Sequence, residues 1–376
     1  MHSDLLLVII VAVALAFDFT NGFHDTATVV ASSISTRALS PRTAIAVASI
    51  LNFAGAFISL KVAATVATGI VEPGTVSETV AFGGLIGAIA WNVVTWRYGL
   101  PSSSSHALIG GIVGAALAAA GGSAINVHGL VTKVALPAVI APISAFVVAG
   151  LAIVLIYRLV GRSRPGAVTR GFRVGQILSG SLLSLAHGTN DAQKTMGVIS
   201  LALLAHGDIS AEHFHVPDWV VIAAATALAL GTYAGGWRII RTVGTRIITM
   251  DSAQGFASEG SGAAVILVSS HFGYPLSSTH VISGAVTGAG AAKRLSAVRW
   301  GIAGNIAIAW ILTVPVAAAI GAATYGLTNA FGSGALGPLL VILVVIALTT
   351  SALAVRRERV AEVTPERAPR RAPTAS

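Results

Sequence analysis

The sequence predicts an all-α polytopic membrane protein of inverted-topology repeats, with two broken helices and two re-entrant hairpins. Three observations carry that prediction. Only 10% of the 376 residues are charged, where a soluble domain has roughly a quarter, and 55% are hydrophobic. Apolar stretches recur from Leu5 to Val355, several reaching the ~18 residues that can cross a bilayer core. Two compound polar motifs also occur twice, in the same order. With a mean hydropathy of +0.83, this composition excludes an ordinary soluble enzyme and a disordered chain. The absence of cysteine excludes disulfides, thiolate metal sites and cysteine nucleophiles.

The net charge of +9 is local. Arg158, Arg162, Arg164, Arg170 and Arg173 contribute +5, and the tail 356–376 contributes +3. Basic segments beside apolar spans mark cytoplasmic ends, and no aromatic-interleaved basic patch points to nucleic acid. The N-terminus has no Lys or Arg and is placed outside. Its flank Met1-His2-Ser3-Asp4, with no small-residue cleavage site before Asp18, argues against a cleavable signal peptide. A first span from Leu5 passes an interruption near Asp18 to Asp25 and ends inside at Arg37 and Arg42. A second, 43–65, returns to an outer loop with Glu72 and Glu78. The block 80–121, interrupted by a Pro-Ser tip, reads as a hairpin because its arms are short and Gly-rich, and 131–157 ends inside.

From 174 the pattern restarts with opposite polarity. The interrupted segment 175–204 leads to an acidic outer loop, 206–217, and 219–236 returns to Arg238, Arg241 and Arg246. A second hairpin, 262–292, ends at Lys293 and Arg294. The segment 301–324 crosses outward and 336–354 comes back. The expected organisation is a first repeat 1–160 with hairpin 80–121, a basic cytoplasmic linker 161–173 and a second repeat 174–325 with hairpin 262–292. An additional helix 326–355 and a basic cytoplasmic tail 356–376 complete a multi-pass protein of the cytoplasmic membrane.

The repeated motifs hold the chemistry. Gly22-Phe23-His24-Asp25 matches Gly188-Thr189-Asn190-Asp191 at an offset of 166. Pro101-Ser102-Ser103-Ser104-Ser105-His106 matches Pro275-Leu276-Ser277-Ser278-Thr279-His280 at an offset of 174, as does Gly110-x-x-x-Gly114 with Gly284-x-x-x-Gly288. Inverted repeats broken at corresponding places mark a secondary transporter with a midplane site. A carboxylate at the bilayer centre costs about 2.5–3.5 kcal/mol on insertion scales, so Asp25 and Asp191 need partners. They read either as caps of unwound helix or as ligands of a coupling cation or proton. Hydroxyls at helix N-termini suit an anion, by unpaired N–H groups and the positive end of the dipole. Two opposed tips, Ser102 to Ser105 and Ser277 to Thr279, would form a cradle for it. His106 and His280 orient the tips or contact substrate. Lys194 pairs with Asp191 or attracts the anion. Asn190 and Gln193 supply amide groups beside Asp191, and Arg97 snorkels or sits deep in its hairpin. His206, His213, His215, Asp208 and Glu212 read as a solvated loop, so no resident metal or cofactor is expected.

Asn21-Gly22-Phe23-His24-Asp25-Thr26-Ala27, His187-Gly188-Thr189-Asn190-Asp191-Ala192-Gln193-Lys194 and the paired tips resemble the PiT family of inorganic phosphate transporters, over residues 5–355. The resemblance implies phosphate held between the tips by Ser103, Ser104, Ser105, Ser277, Ser278 and Thr279, and uptake driven by a cation gradient. It makes Asp25, Asp191 and Asn190, with His24, the coupling residues. His106, His280, Gln193 and Lys194 support them. Two departures, Thr28 and His24 in place of the usual Asn, bear on the coupling ion. Sodium favours oxygen ligands, whereas imidazole titrates near neutral pH, so protons are favoured over sodium. Sulfate is the rival cargo. A channel stays as a minor alternative. A hydrolase is disfavoured because no Gly-x-Ser-x-Gly elbow occurs. The cargo reads as inorganic phosphate, free or as a metal–phosphate complex, and the partners as the lipid bilayer and further copies of the chain in a homo-oligomer.

Overall fold

Asp4–Ser35 closes into one helix, α1, and Pro165–His206 into another, α8. In this computed structural model, which describes residues 4–72, 77–210, 212–332 and 334–346, both signature motifs thus lie on continuous helices. The breaks expected inside 5–37 and 175–204 are absent. Part of the cause is local, since several of the polar side chains bond along their own helices. Thr28 donates to the Asp25 carbonyl at 2.7 Å, Thr189 donates to the Leu185 carbonyl at 2.8 Å, and Lys194 reaches back to Asp191. No backbone need open to hold them.

Broken spans do occur, one place later in each half. The second span stops at the end of α2 (Pro41–Gly55) and resumes as α3 (Lys61–Thr68). Its counterpart α9 (Asp218–Ala234) bends by 60° into Trp237–Arg246, which begins with α10 (Trp237–Arg241). Gly235 turns that corner at φ +72°, a left-handed conformation that costs glycine little.

Each half then forms a helical hairpin: α4 (Glu78–Tyr98) with α5 (Ser104–Ala120), and α11 (Ser252–His271) with α12 (Ser278–Lys293). The second starts ahead of its expected boundary at 262, because Gln254, Ser258 and Glu259 are buried rather than solvated. A single turn, α6 (Val127–Gly129), leads into α7 (Leu136–Val160), and α13 (Trp300–Asn329) closes the second half. A shorter apolar helix, α14 (Leu336–Ile346), follows. Among the described residues, five helices are long and apolar enough to cross a membrane, six if the bent pair is one span. The basic linker is shorter than expected, since α8 starts at Pro165, a residue pre-organised for a first helical turn. The tail 356–376 and the end of the expected helix 326–355 lie outside the described residues.

Small residues lock the halves together. A Cβ on Gly22 would sit 2.4 Å from the Leu228 carbonyl of α9, and one on Gly188 would sit 2.2 Å from the Asn52 carbonyl of α2. Each signature helix therefore crosses the broken span of the other half at backbone contact. The glycine pairs do the same for the hairpins: Gly114 abuts Ala318 of α13, and Gly288 abuts Phe146 of α7. This exchange brings both sets of motifs to one place.

Candidate functional site

The two tips are built as helix N-termini. Ser103 Oγ accepts from the His106 N–H at 3.0 Å and caps α5, while Ser277 Oγ accepts from the His280 N–H at 3.2 Å and caps α12. These two serines, expected at the anion, are engaged as caps. The next residue in each tip does something else. Ser104 Oγ donates to Asp25 Oδ1 at 2.9 Å, and Ser278 Oγ donates to Asp191 Oδ2 at 2.9 Å. Each hairpin is thereby joined to the signature helix of its own half by one hydroxyl–carboxylate bond. Across the halves, Ser105 Oγ donates to the Leu276 carbonyl at 3.0 Å, and the rings of His106 and His280 lie 4.7 Å apart. His280 stacks on Trp310 at 3.9 Å. The Thr279 hydroxyl and both His280 ring nitrogens make no hydrogen bond among the described residues. Two positive helix ends, α5 and α12, thus meet in a buried, hydroxyl-lined seam.

The buried charges are arranged around that seam. The Lys194 ammonium contacts Asp191 Oδ1, Ser105 Oγ at 2.5 Å and the Leu276 carbonyl at 2.7 Å, so it pairs with its own aspartate and also reaches both tips. His187, not singled out as a site residue in the sequence, lies with Nε2 2.7 Å from Asp191 Oδ2. In the first half His24 Nδ1 lies 2.7 Å from Asp25 Oδ1, and Nε2 lies 3.0 Å from Thr95 Oγ1. The two aspartates therefore have different companions, an ammonium and an imidazole against a single imidazole.

The two amides differ, since Gln193 departs from expectation while Asn190 keeps its carbonyl oxygen buried and without a partner among the described residues. Asn190 donates to Ser270 Oγ at 2.8 Å and to the Tyr274 carbonyl at 3.1 Å, so its nitrogen fixes the end of α11. Gln193 Oε1 accepts from the N–H groups of Val62 and Ala63, at 2.8 and 3.2 Å, and closes the start of α3 at the break. Helix N-termini carry unpaired N–H groups, and a broken span creates an extra one inside the protein. Gln193 is a structural cap there, not a neighbour of the Asp191 carboxylate.

Sequence reasoning missed Glu259. Its carboxylate accepts from Ser32 at 2.5 Å, Ser33 at 2.6 Å, Ser179 at 2.8 Å and Gln176 at 3.2 Å, tying α1, α8 and α11 together. The available signal was an acid within an otherwise uncharged helical segment. At the end of α8, His206 Nδ1 lies 2.5 Å from Glu78 Oε1, and the carboxylate pushes the imidazole above its ordinary range. Among the described residues no cluster of His, Asp and Glu could hold a metal ion. Arg97 is exposed and lines a cleft of about 350 Å³ with Arg238, Arg241 and Arg246.

Residues 21–321 match the Phosphate transporter family. A probable low-affinity inorganic phosphate transporter of Mycobacterium bovis is 52% identical over 327 residues, covering 87% of this chain and 78% of its own length. Proteins of the same description from Rhizobium meliloti and Bacillus subtilis are 51% and 44% identical, and the matches span 96% and 98% of their lengths. Among solved structures, one described as the sodium-dependent phosphate transporter superposes with a TM-score of 0.78 at 26% identity. That match covers 85% of this chain and 98% of the other.

Proposed function

The chain belongs to the phosphate transporter family, and from that premise we propose that it imports inorganic phosphate across the cytoplasmic membrane by proton symport with alternating access. The observation that carries this reading is the matched pair of bonds from Ser104 to Asp25 and from Ser278 to Asp191. An ionised carboxylate holds its serine hydroxyl as a donor. A proton on the carboxylate weakens that hold and frees the hydroxyl to donate to phosphate at the helix N-termini. Proton and anion binding then favour one another at a single seam. Differential binding of this kind is what symport requires.

Two details support protons over sodium. His24 sets an imidazole rather than a further oxygen beside Asp25, with Nδ1 2.7 Å from Asp25 Oδ1 and Nε2 3.0 Å from Thr95 Oγ1, and hard cations favour oxygen ligands. In the second half, the tethered Lys194 ammonium takes the place among Asp191, Ser105 and Leu276 oxygens that an alkali cation would otherwise fill. The arginine-lined cleft supplies an attractive inner mouth for an anion.

Purified protein in proteoliposomes tests this. An inward pH gradient without sodium should drive accumulation of labelled phosphate, and labelled sulfate should not replace it. Accumulation that appears only with an inward sodium gradient at fixed pH would exclude proton coupling.

A further inference from the structure

Three aspartates are buried in the middle of the bundle, and two of them are accounted for. Asp191 is paired with Lys194 and Asp25 with His24. The third, Asp18, is fully buried without an ion-pair partner, and among the described residues the Asn21 and Thr195 side chains approach its carboxylate outside strict hydrogen-bond geometry. It lies on α1 about two turns, or ~10 Å, before Asp25. Asn21 follows one turn later on the same face, 1% exposed, with both atoms of its amide unpartnered. The buried Thr195 hydroxyl on α8 is unpartnered too. Thr195 and Asn21 are the polar side chains that face Asp18, and the charges that act on it are those of Asp191 and Lys194. Lys194 is already held by Asp191, Ser105 and Leu276. Asn92 of α4 reaches Thr20 and Thr232 of α9 reaches Thr26, both uncharged, and Glu259 of α11 meets α1 at Ser32 and Ser33, about four turns beyond Asp18.

A lone ionised carboxylate in such a place is strongly disfavoured unless something neutralises it. Together Asp18, Asn21 and Thr195 offer four oxygens, fewer than the roughly six to eight that a hard cation such as calcium takes. A proton needs one carboxylate oxygen and one acceptor, and Asn21 Oδ1 or Thr195 Oγ1 provides the latter. We infer that Asp18, with Asn21 and Thr195, forms a second proton-binding site, distinct from the phosphate seam and loaded in each transport cycle. A hydronium ion gives its proton to an Asp18 oxygen and leaves as water; on release the O–H bond breaks and the proton returns to water. Because Asp18 precedes Asp25 on a helix whose N-terminus faces outward in the proposed orientation, it receives the external proton first.

The inference rests on the proton-symport reading, and the experiment separates the two. Asp18→Asn is compared with wild type in proteoliposomes, by phosphate/phosphate exchange at equal pH and by pH-driven accumulation with simultaneous proton flux. Exchange should stay within about twofold, while accumulation collapses and the ratio of protons to phosphate falls. Asp18→Glu should restore both. Unaltered accumulation and proton ratio in Asp18→Asn overturn the inference while leaving the symport reading intact, and loss of exchange together with accumulation also overturns it. Absence of pH-driven uptake in wild type removes both. Should Asp18→Asn fail to fold, Thr195→Val keeps the carboxyl but removes one acceptor. It should shift the pH of half-maximal accumulation, and an unshifted midpoint overturns the site.

Discussion

Ser104 and Ser278 each give one hydroxyl to a buried carboxylate, and each stands one residue inside a helix whose cap is the preceding serine. Neighbouring hydroxyls in one motif therefore have separable roles. Ser104→Ala or Ser278→Ala removes a donor in a dry site, a loss of about 1–3 kcal/mol. Half-saturating phosphate should rise roughly five- to hundredfold in transport assays. Unchanged half-saturation in both variants, with normal expression, would rule out the seam as the anion site. The sequence made the pairs Asp25/Asp191 and Ser104/Ser278 legible because both halves repeat them. It could not divide Ser103 from Ser104, because a cap and a ligand ask for the same side chain. Gln193 departs for a related reason: an amide near an aspartate in sequence can point elsewhere from a helix, here to the start of α3.

At the scale of elements, the C-terminal end of α8 is fastened to the start of α4 by His206 and Glu78, with Asp4 of α1 at 3.6 Å. The carboxylate raises the affinity of His206 for its proton in the folded protein. A raised histidine contributes stability that is fully present below its unfolded value of about 6.5 and fades as pH climbs through the higher folded value. The melting temperature of detergent-solubilised protein should therefore decline as pH rises above that point, and His206→Ala should flatten the decline. An unchanged profile in the variant would show that the contact contributes nothing to stability. The positions of the breaks were not legible at this scale. Polar residues within an apolar run look like an interruption, yet α1 and α8 stay helical because groups such as Thr28, Thr189 and Lys194 bond along their own helices without opening the backbone. The apolar 43–65 does break, and Gln193, 130 residues away from Ala63, covers the exposed start of α3.

For the whole molecule, the basic stretch between α7 and α8 fixes the proposed orientation through the charge bias of short loops. Ser163 is exposed there, and the chain has no native cysteine to confuse labelling. A cysteine at Ser163 should react with an impermeant maleimide in inverted vesicles and not in intact cells. Reaction from outside alone would reverse the orientation. The interlock of the halves gives this architecture its central site: α1 lies on α9, α8 on α2, α5 on α13 and α12 on α7. Neither half could assemble the seam alone, since Ser105 of one tip meets Leu276 of the other and Lys194 touches both.

Composition and repetition were enough, by themselves, to determine a membrane-embedded, all-helical chain of two matched halves with its polar motifs at the centre. Apolar length sets what must leave water, and a motif found twice declares its own partner. Tertiary structure decided the rest. It chose where helices break, which serine caps and which one faces a carboxylate, and that Asp18 and Glu259 are buried. Those outcomes depend on side chains far apart in the chain meeting at one point, and one-dimensional spacing does not encode which unpaired group another helix will reach.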